Sequence, residues 1–358
     1  MNAPFVPRFV PWRGQHRGLT AGLALVLLAV AACSTGPGAT PTIPPDATGS
    51  ILQPATATPS AIPAHFPITL TDDEGTTVEL TEEPAKIVSL TPATTEILFA
   101  LGAGDRIVGK VEDLSLYPPE AAAIPDVAKF GEVDVEKIVS LEADLVIAGG
   151  NNFNPPDKIA QLRQLGLPVL VVYAPDIETV FADIELTGAA IGNAAGAKDL
   201  TASMRAGFDQ VEAAMSSLEK PRVFYELDAT REIYTAADDS FLAKMIELAG
   251  GQPITTGSTT SFEIPLETLV TADPEVILLG DAAYGVTADA VAARPGWNVM
   301  TAVKSGQIRP VDDIIVTRPG PRLVLGLQLL ARAIHPDASI PGAPSSVESP
   351  SPAASVAP

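Results

Sequence analysis

The stretch that decides the fold is AGAKDLTASMRAGFDQVEAAMSSLEK, residues 195–220. Its large apolar residues recur every three or four positions, as expected for one buried stripe on a helix. They are Leu200, Met204, Phe208, Val211, Met215 and Leu218. Asn193 is a suitable N-cap and Pro221 is a stop signal, so the pattern predicts one helix of about 24 residues, roughly 36 Å long. A helix of that length spans the width of a small domain and can join two of them.

The segments on either side of this helix contain an internal repeat. Residues 136–149 read EKIVSLEADLVIAG and residues 267–280 read ETLVTADPEVILLG, and they align without a gap at an offset of 131. Each copy predicts a helix opened by a glutamate, a turn, and an apolar strand ended by glycine. Chance similarity of two helix–strand units explains the apolar positions but not the paired Glu136 and Glu267. The repeat favours two related lobes.

Strand and helix patterns alternate through both halves of the chain. Alternation of this kind predicts largely parallel sheets that are covered by helices. The predicted fold class is therefore α/β, with two similar α/β sandwich lobes bridged by a single long helix. The predicted parts are an N-terminal lobe at residues 66–193, the interlobe helix at 194–220 and a C-terminal lobe at 221–336.

Both ends of the chain have the composition of targeting or linker segments. Three arginines precede the apolar run 19–32, which is short for a membrane span and predicts a signal segment over residues 1–33. The run ends in VAAC, and Cys33 is the only cysteine. The alternative is a buried thiol in an ordinary signal peptide, but the position favours lipidation of Cys33 and a protein anchored at the outer face of the cell membrane. The Pro-, Ser-, Thr- and Ala-rich residues 34–65 and 337–358 predict a disordered tether and tail.

The charge and the residue inventory exclude several classes of function. The formal net charge is −21, or −24 without the signal segment, which argues against nucleic acid or an anionic membrane surface as a direct partner. The sequence contains no P-loop and no G-x-S-x-G motif. Only His65 and His335 follow the signal segment, so one chain cannot supply a three-histidine metal site. We expect no intrinsic cofactor, no catalytic residues and a monomer.

Six short motifs recur in order along the predicted folded region. They are KIVSLTPATTE (86–96), LGAGD (101–105), YPPE (117–120), EKIVSL (136–141), DLVI (144–147) and RPGPR (318–322). Together they resemble the substrate-binding proteins of ABC importers for ferric siderophores, haem and cobalamin. The resemblance covers residues 66–336. It implies a protein that is not an enzyme, but binds a metal chelate between its lobes and delivers it to an ABC permease and its ATPase subunit.

The resemblance also implies which residues form the sites. Glu136 and Glu267 match the two exposed glutamates that dock on arginines of the permease. Each glutamate also has a structural interpretation, as a carboxylate at the start of a helix that interacts favourably with the helix dipole by about 0.3–1 kcal/mol. The implied ligand-binding residues are Thr91, Pro92, Ala93, Thr94, Tyr117, Phe130, the region of Phe262, and Arg318.

Several of these residues keep an alternative interpretation. Tyr117 could pack on its own lobe, and Arg318 could pair with Asp312 or Asp313 instead of a ligand acid. Phe130 stands where cobalamin-binding members have tryptophan, which gives it a smaller stacking face. Tyr234, Tyr284 and Trp297 are further candidates in the second lobe without motif support.

The identity of the ligand stays open among three chelates. A corrinoid is slightly favoured over a ferric siderophore, and haem ranks last because it needs an axial His, Tyr or Met and no histidine is well placed. The alternative outside transport is an extracytoplasmic enzyme that acts on such chelates. Catalytic groups converging in the cleft would favour the enzyme, whereas aromatic residues and arginine would favour binding.

Overall fold

The computed structural model describes residues 66–115, 117–150 and 153–343. The predicted signal segment, the whole of the predicted tether and the lipidation position Cys33 lie outside these ranges. None of the helices in the described part of the chain is long and apolar enough to cross a bilayer.

The N-terminal lobe is built on a six-stranded sheet. The strands of this lobe, in chain order, are β1 (Ile68–Thr71), β2 (Thr77–Leu80), β3 (Ile87–Ser89), β4 (Ile107–Val111), β5 (Asp126–Lys129), β6 (Glu132–Val133), β7 (Leu145–Ala148) and β8 (Val169–Val171). The helices of this lobe are α1 (Pro92–Ala100), α2 (Val135–Ser140), α3 (Pro156–Gln164) and α4 (Ile177–Ala190). The sheet order is β6-β5-β4-β3-β7-β8, parallel except between β5 and β6. Strands β1 and β2 form a separate hairpin. Strands β3, β7 and β8 are buried along their whole length, as expected where helices cover both faces of a parallel sheet.

The predicted long helix is α5 (Ala194–Met215). The side chain of Asn193 caps it by accepting the N–H of the residue three positions on, at 3.0 Å. All six residues of the predicted apolar stripe are buried or half-buried. The helix ends earlier than the expected Lys220: Ser216 donates its hydroxyl to the Ala213 carbonyl at 2.8 Å, which gives the backbone a local alternative to another helical turn.

The C-terminal lobe repeats the architecture with a smaller sheet. Its elements are β9 (Arg222–Glu226), α6 (Phe241–Leu248), β10 (Gln252–Pro253), α7 (Leu266–Ala272), β11 (Val276–Leu279), α8 (Ala288–Ala292), α9 (Thr301–Ser305), β12 (Ile308–Pro310), α10 (Asp313–Thr317) and α11 (Leu323–Ile334). The four strands are parallel, in the order β10-β9-β11-β12.

Helix α5 packs on both lobes. Its Phe208 meets Phe181 of α4 edge to face, with ring centroids 5.8 Å apart. On the other side it approaches α11 so closely that a Cβ at Gly207 would lie 2.6 Å from the Val324 side chain. One continuous hydrophobic core includes residues of both lobes and of α5. Two smaller cores lie on the outer faces of the two sheets. The two lobes are therefore packed as one body on the bridging helix.

The folded region extends past residue 336, where the C-terminal lobe was expected to end. Ile340 is 6% exposed and belongs to the shared core. Gln328 donates to the Pro341 carbonyl at 3.0 Å and fixes the chain beside α11. The composition of residues 337–343 predicted a disordered tail, because a Pro- and Ala-rich composition does not reveal that the single residue Ile340 is buried.

The internal repeat is visible in the sheet topology. The strands β4-β3-β7-β8 and β10-β9-β11-β12 have the same order along the chain and in space, and both sets are parallel. The prediction of two similar α/β lobes bridged by a long helix is confirmed.

The equivalence of the lobes extends to single residues. Glu142 and Asp273, paired in the sequence repeat, both have left-handed backbone conformations, with φ of 54° and 47°, which is uncommon for residues other than glycine. Asp144 and Glu275, two positions further on, each accept a backbone N–H at the start of the neighbouring strand β3 or β9, both at 3.0 Å. The two copies therefore turn from helix to strand in the same way.

Candidate functional site

The carboxyl ends of the central strands lead to the junction between the lobes. Ligands of open α/β sheets bind outside these ends. In the N-terminal lobe, β3 leads through Thr91 into α1. Residues 318–322 of the C-terminal lobe lie against the start of α1, where a Cβ at Gly320 would be 3.7 Å from the Ala93 carbonyl oxygen. The candidate site is the cleft at this junction.

Buried hydroxyl groups fix the first turn of α1. Thr91 Oγ1 accepts the Thr94 N–H at 3.1 Å and caps the helix. Ser89 Oγ lies 2.6 Å from Thr94 Oγ1. Thr91 and Thr94 are 5% and 1% exposed, so their hydroxyl groups serve the fold of this turn. Pro92 and Ala93, which are both half-buried, are the more accessible residues of the predicted ligand-binding group here.

An ion network joins the lobes at the cleft; we call Glu96, Asp113, Arg318 and Arg322 the interlobe ion network. Arg318 Nη1 donates to Glu96 Oε1 at 2.7 Å and to Asp113 Oδ2 at 2.8 Å. Arg322 binds Glu96 through Nε and Nη2, at 2.9 and 2.7 Å. The side chain of Glu96 is 2% exposed. Arg318 therefore pairs with carboxylates of the opposite lobe, and not with Asp312 or Asp313.

Electrostatics favour the charged forms of Asp113 and Arg318. Burial would raise the pKa of Asp113, but the hydrogen bonds and charge of Arg318 outweigh it and hold that pKa below its usual value. Burial would lower the pKa of Arg318, but its interactions with Asp113 and Glu96 outweigh burial and hold that pKa above its usual value. Two guanidinium groups are balanced by two carboxylates. The network thus offers a ligand no net charge.

Tyr117 lies beside the interlobe ion network. Arg322 Cζ is 3.7 Å from the centroid of its ring, a cation–π contact between the lobes. The residue is 39% exposed. One ring face of Tyr117 is therefore covered by arginine, which leaves the other face and the edge for a ligand.

Two phenylalanines extend the aromatic surface of the N-terminal lobe. Phe130 and Phe153 pack edge to face with ring centroids 6.4 Å apart, and they are 55% and 38% exposed. Phe130 was predicted from the sequence and Phe153 was missed. Phe153 follows the last residue of β7 by five positions, so its place after the repeated strand was the available signal.

The aromatic candidates of the C-terminal lobe differ in environment. Tyr284 is 87% exposed, whereas Trp297 is 3% exposed and packs against Phe224 with ring centroids 6.0 Å apart. Trp297 is therefore a core residue and does not line the cleft. Phe262 is half-buried, and its carbonyl accepts the N–H of Thr235 at 2.9 Å.

A buried carboxyl pair lies at the carboxyl edge of the C-terminal sheet. Glu226 has a fully buried side chain and binds Arg294 through both oxygens, at 2.6 and 2.7 Å. Burial first, and the charge of Glu226 second, raise the pKa of Asp281 to about 8. Burial and the neighbouring negative charge therefore favour the protonated form of Asp281.

A second polar contact lies at the same edge. Tyr225 Oη donates to Asp313 Oδ1 at 2.8 Å. Burial raises the pKa of Asp313 to about 6 and moves the pKa of Tyr225 well above its usual value. Tyr225 and Asp313 are therefore already bound to each other at this edge of the sheet. Among the described residues, no group of three or more His, Cys, Asp or Glu is arranged to hold a metal ion.

Glu136 and Glu267 occupy equivalent, exposed places on the two lobes. Each lies in the first turn of its helix, α2 or α7. Asp134 caps α2 by accepting the N–H of Lys137 at 2.9 Å, whereas α7 begins after Pro265 without a side-chain cap. A carboxylate in a first turn is stabilised by the helix dipole, and here it also remains available to a partner.

The sequence and the fold match known proteins. The family model described as periplasmic binding protein matches residues 87–314. The chain belongs to the periplasmic binding protein family. This family consists of extracytoplasmic substrate-binding proteins of transport systems, which agrees with two lobes on a helical backbone.

Three relatives in this family illustrate its range. The chain is 36% identical over 277 residues to the uncharacterized ABC transporter substrate-binding lipoprotein YvrC of Bacillus subtilis, covering 76% of this chain and 87% of that protein. It is 30% identical over 332 residues to a cobalamin-binding protein of Halobacterium salinarum, covering 90% and 86%. The solved structure of the periplasmic heme-binding protein RhuT from Roseiflexus is 27% identical, with a TM-score of 0.63, and the match covers 70% of this chain and 98% of that one.

Proposed function

We propose that this protein binds a metal chelate, a corrinoid or a ferric siderophore, in the cleft between its lobes and delivers it as a monomer to an ABC permease with its ATPase subunit. The observation that carries the proposal is a set of exposed aromatic side chains near the junction of the lobes: Tyr117 beside the interlobe ion network, and the packed pair of Phe130 and Phe153. Aromatic rings with a few fixed polar groups are typical of sites for large, mostly apolar ligands. The relative named as a cobalamin-binding protein supports the same class of ligand, and the relative named as an ABC transporter substrate-binding lipoprotein supports the role in transport.

The roles of the predicted ligand-binding residues follow from their environments. We infer that Pro92, Tyr117 and Phe130 contact the ligand and that Phe262 contributes from the opposite lobe. Thr91 and Arg318 shape the cleft, since the hydroxyl group of the first and the guanidinium group of the second are bound within the protein.

A corrinoid is the preferred ligand. Its periphery carries neutral amides, and the arginines beside the cleft are already balanced by Glu96 and Asp113. Haem carries two carboxylates that favour unpaired cations, and it requires an axial ligand. The exposed phenol of Tyr284 keeps haem as the alternative to these two chelates, in line with the heme-binding neighbour in fold.

Titration of the purified full-length protein with cyanocobalamin, a ferric hydroxamate siderophore and haemin tests the proposal. We expect cyanocobalamin to bind with a Kd of about 1 μM or tighter, equivalent to roughly −8 kcal/mol, and to perturb its visible absorption spectrum. Tight binding of the siderophore or haemin alone would reassign the ligand. Failure of all three to bind would contradict the proposed function.

We further propose that Cys33 carries a lipid and anchors the mature protein at the outer face of the cell membrane. The proposal rests on the VAAC sequence at the end of the apolar run and on the sole cysteine there. Cys33→Ser should move the protein from the membrane fraction to the soluble fraction while its affinity for cyanocobalamin stays unchanged. Continued sedimentation with membranes would show that the anchor lies elsewhere.

A further inference from the structure

The internal repeat extends beyond the strands to a pair of aromatic residues. The offset of 131 that aligns residues 136–149 with 267–280 also places Phe153 on Tyr284. Each of these residues is the fifth after the last residue of its strand, β7 or β11. They are 38% and 87% exposed and stand among the few exposed large apolar side chains of the described residues.

Both residues follow strand ends that face the junction of the lobes. Strands β7 and β11 hold equivalent central places in their sheets. Past β7, a Cβ at Gly149 would collide with the side chain of Thr91, at the start of α1. Past β11, a Cβ at Gly280 would lie 2.5 Å from the ring of Tyr225, whose hydroxyl binds Asp313 at the start of α10. Because α10 leads directly to Arg318, the two strand ends lie on opposite sides of the same junction.

Backbone hydrogen bonds fix Phe153, and the buried side chain of Asn154 fixes the next position. Its N–H donates to the Gly150 carbonyl at 3.1 Å, and its carbonyl accepts the Gly131 N–H at 3.4 Å. The next residue, Asn154, is 2% exposed and binds the Gly149 N–H at 2.8 Å and the Leu90 carbonyl at 3.2 Å. The backbone therefore holds the ring in place, and Phe130 supports it from the side.

Tyr284 is held at the end of a short turn. It is the last residue of the 3-10 helix Gly280–Tyr284, which Gly285 ends with φ of 94° and an N–H donated to Ala282 at 3.0 Å. Only glycine adopts that conformation readily. A fixed turn thus presents a nearly fully exposed aromatic ring at the place that matches Phe153.

We propose that Phe153 and Tyr284 are opposing contacts of the ligand, one ring against each face of a flat macrocyclic chelate. The proposal rests on the proposed function and narrows it, because a corrin or porphyrin ring has two broad faces, whereas a hexadentate siderophore wraps its iron in a rounded shell. Two similar lobes provide one aromatic ring for each face. Aromatic rings stack on such faces and bury large apolar areas.

Titration of full-length variants with cyanocobalamin and haemin tests the pair. We expect Phe153→Ala and Tyr284→Ala each to weaken binding of the macrocycle about 10- to 100-fold, the range measured for well-packed aromatic anchors. Tyr284→Phe should stay within about threefold of the wild type for the corrinoid, since stacking needs the ring rather than the hydroxyl. The matched control is Leu165→Ala, which removes an apolar side chain of 57% exposure at the end of α3 and should not change affinity.

Each outcome bears on the proposal. If the wild type binds a macrocycle and either alanine variant binds it equally well, the opposing pair is wrong while the proposed function stands. If the wild type binds only the ferric siderophore, the inference is wrong and metal-chelate transport stands. If the wild type binds none of the probes, both the inference and the proposed function are wrong. Because the two rings are exposed, thermal unfolding of the variants should match the wild type, and Phe153→Leu provides a milder change should Phe153→Ala unfold early.

Discussion

Glu96→Ala is expected to destabilise the protein by about 3–5 kcal/mol, because it leaves two buried guanidinium groups without their shared carboxylate. Glu96 accepts hydrogen bonds from both Arg318 and Arg322 at 2.7–2.9 Å, and its side chain is 2% exposed. Asp113 can balance only one of the two arginines. Urea unfolding at neutral pH measures the change in the free energy of unfolding.

The matched control is Glu142→Ala. Glu142 also forms a salt bridge, with Lys86 at 2.7 Å, but the two side chains are 80% and 43% exposed. Water screens such a pair, so the control should unfold almost like the wild type. Equal stability of Glu96→Ala and the control would show that the interlobe ion network does not stabilise the fold.

The ion pair of Asp113 and Arg318 should persist over the physiological pH range. The pKa of Asp113 is held below its usual value by Arg318, so its stabilising contribution is complete above the ordinary aspartate pKa of about 4. It is lost only as the pH falls through the lowered pKa. The contact of Asp113 with Arg318 between the lobes is therefore insensitive to mild acid.

The second large effect is expected in transport rather than in stability. Replacing both Glu136 and Glu267 with alanine should lower uptake of the ligand at least about tenfold while its affinity for the purified protein stays unchanged. The two carboxylates are exposed at equivalent places on the lobes, so a permease with two similar halves would meet one on each side. A tenfold change corresponds to a loss of about 1.4 kcal/mol in the free energy of docking, shared between the two carboxylates.

Uptake in cells and affinity of the purified variants separate docking from binding. Each single variant should have an intermediate uptake. Glu219→Ala, which removes an exposed carboxylate outside the repeat, is the control and should transport normally. A loss of affinity in the double variant would place the pair in the ligand site. Normal uptake would contradict a docking role.

Local patterns in the sequence were sufficient to predict the main elements. The apolar stripe of α5 and its Asn193 cap lie within one stretch of chain, and helical periodicity is a local property. The repeat predicted the two lobes because it preserves the same glutamate, strand and glycine in both copies. The helix ends at Met215 and not at the predicted Lys220, since the hydrogen bond of Ser216 competes with helix continuation and leaves no clear periodic signal.

The interlobe ion network could not be predicted in the same way. Glu96 is 222 residues from Arg318 and 226 from Arg322 along the chain, and no spacing rule connects such distant charges. Sequence therefore offered Asp312 and Asp313 as nearer partners for Arg318. Trp297 was likewise named as a cleft candidate because composition does not reveal that Arg294 and Phe224 bury it.

The continuous helix α5 and the core shared by both lobes fix the separation between Glu136 and Glu267. Proteins that close around a ligand bend at loop hinges, whereas this link is hydrogen-bonded along its length. If the two carboxylates dock on the two halves of a permease, a motion that drives these halves apart must strain the binding protein itself. Such strain would open the cleft and release the ligand. Release would then be timed by ATP hydrolysis in the transporter and not by a spontaneous opening of the lobes.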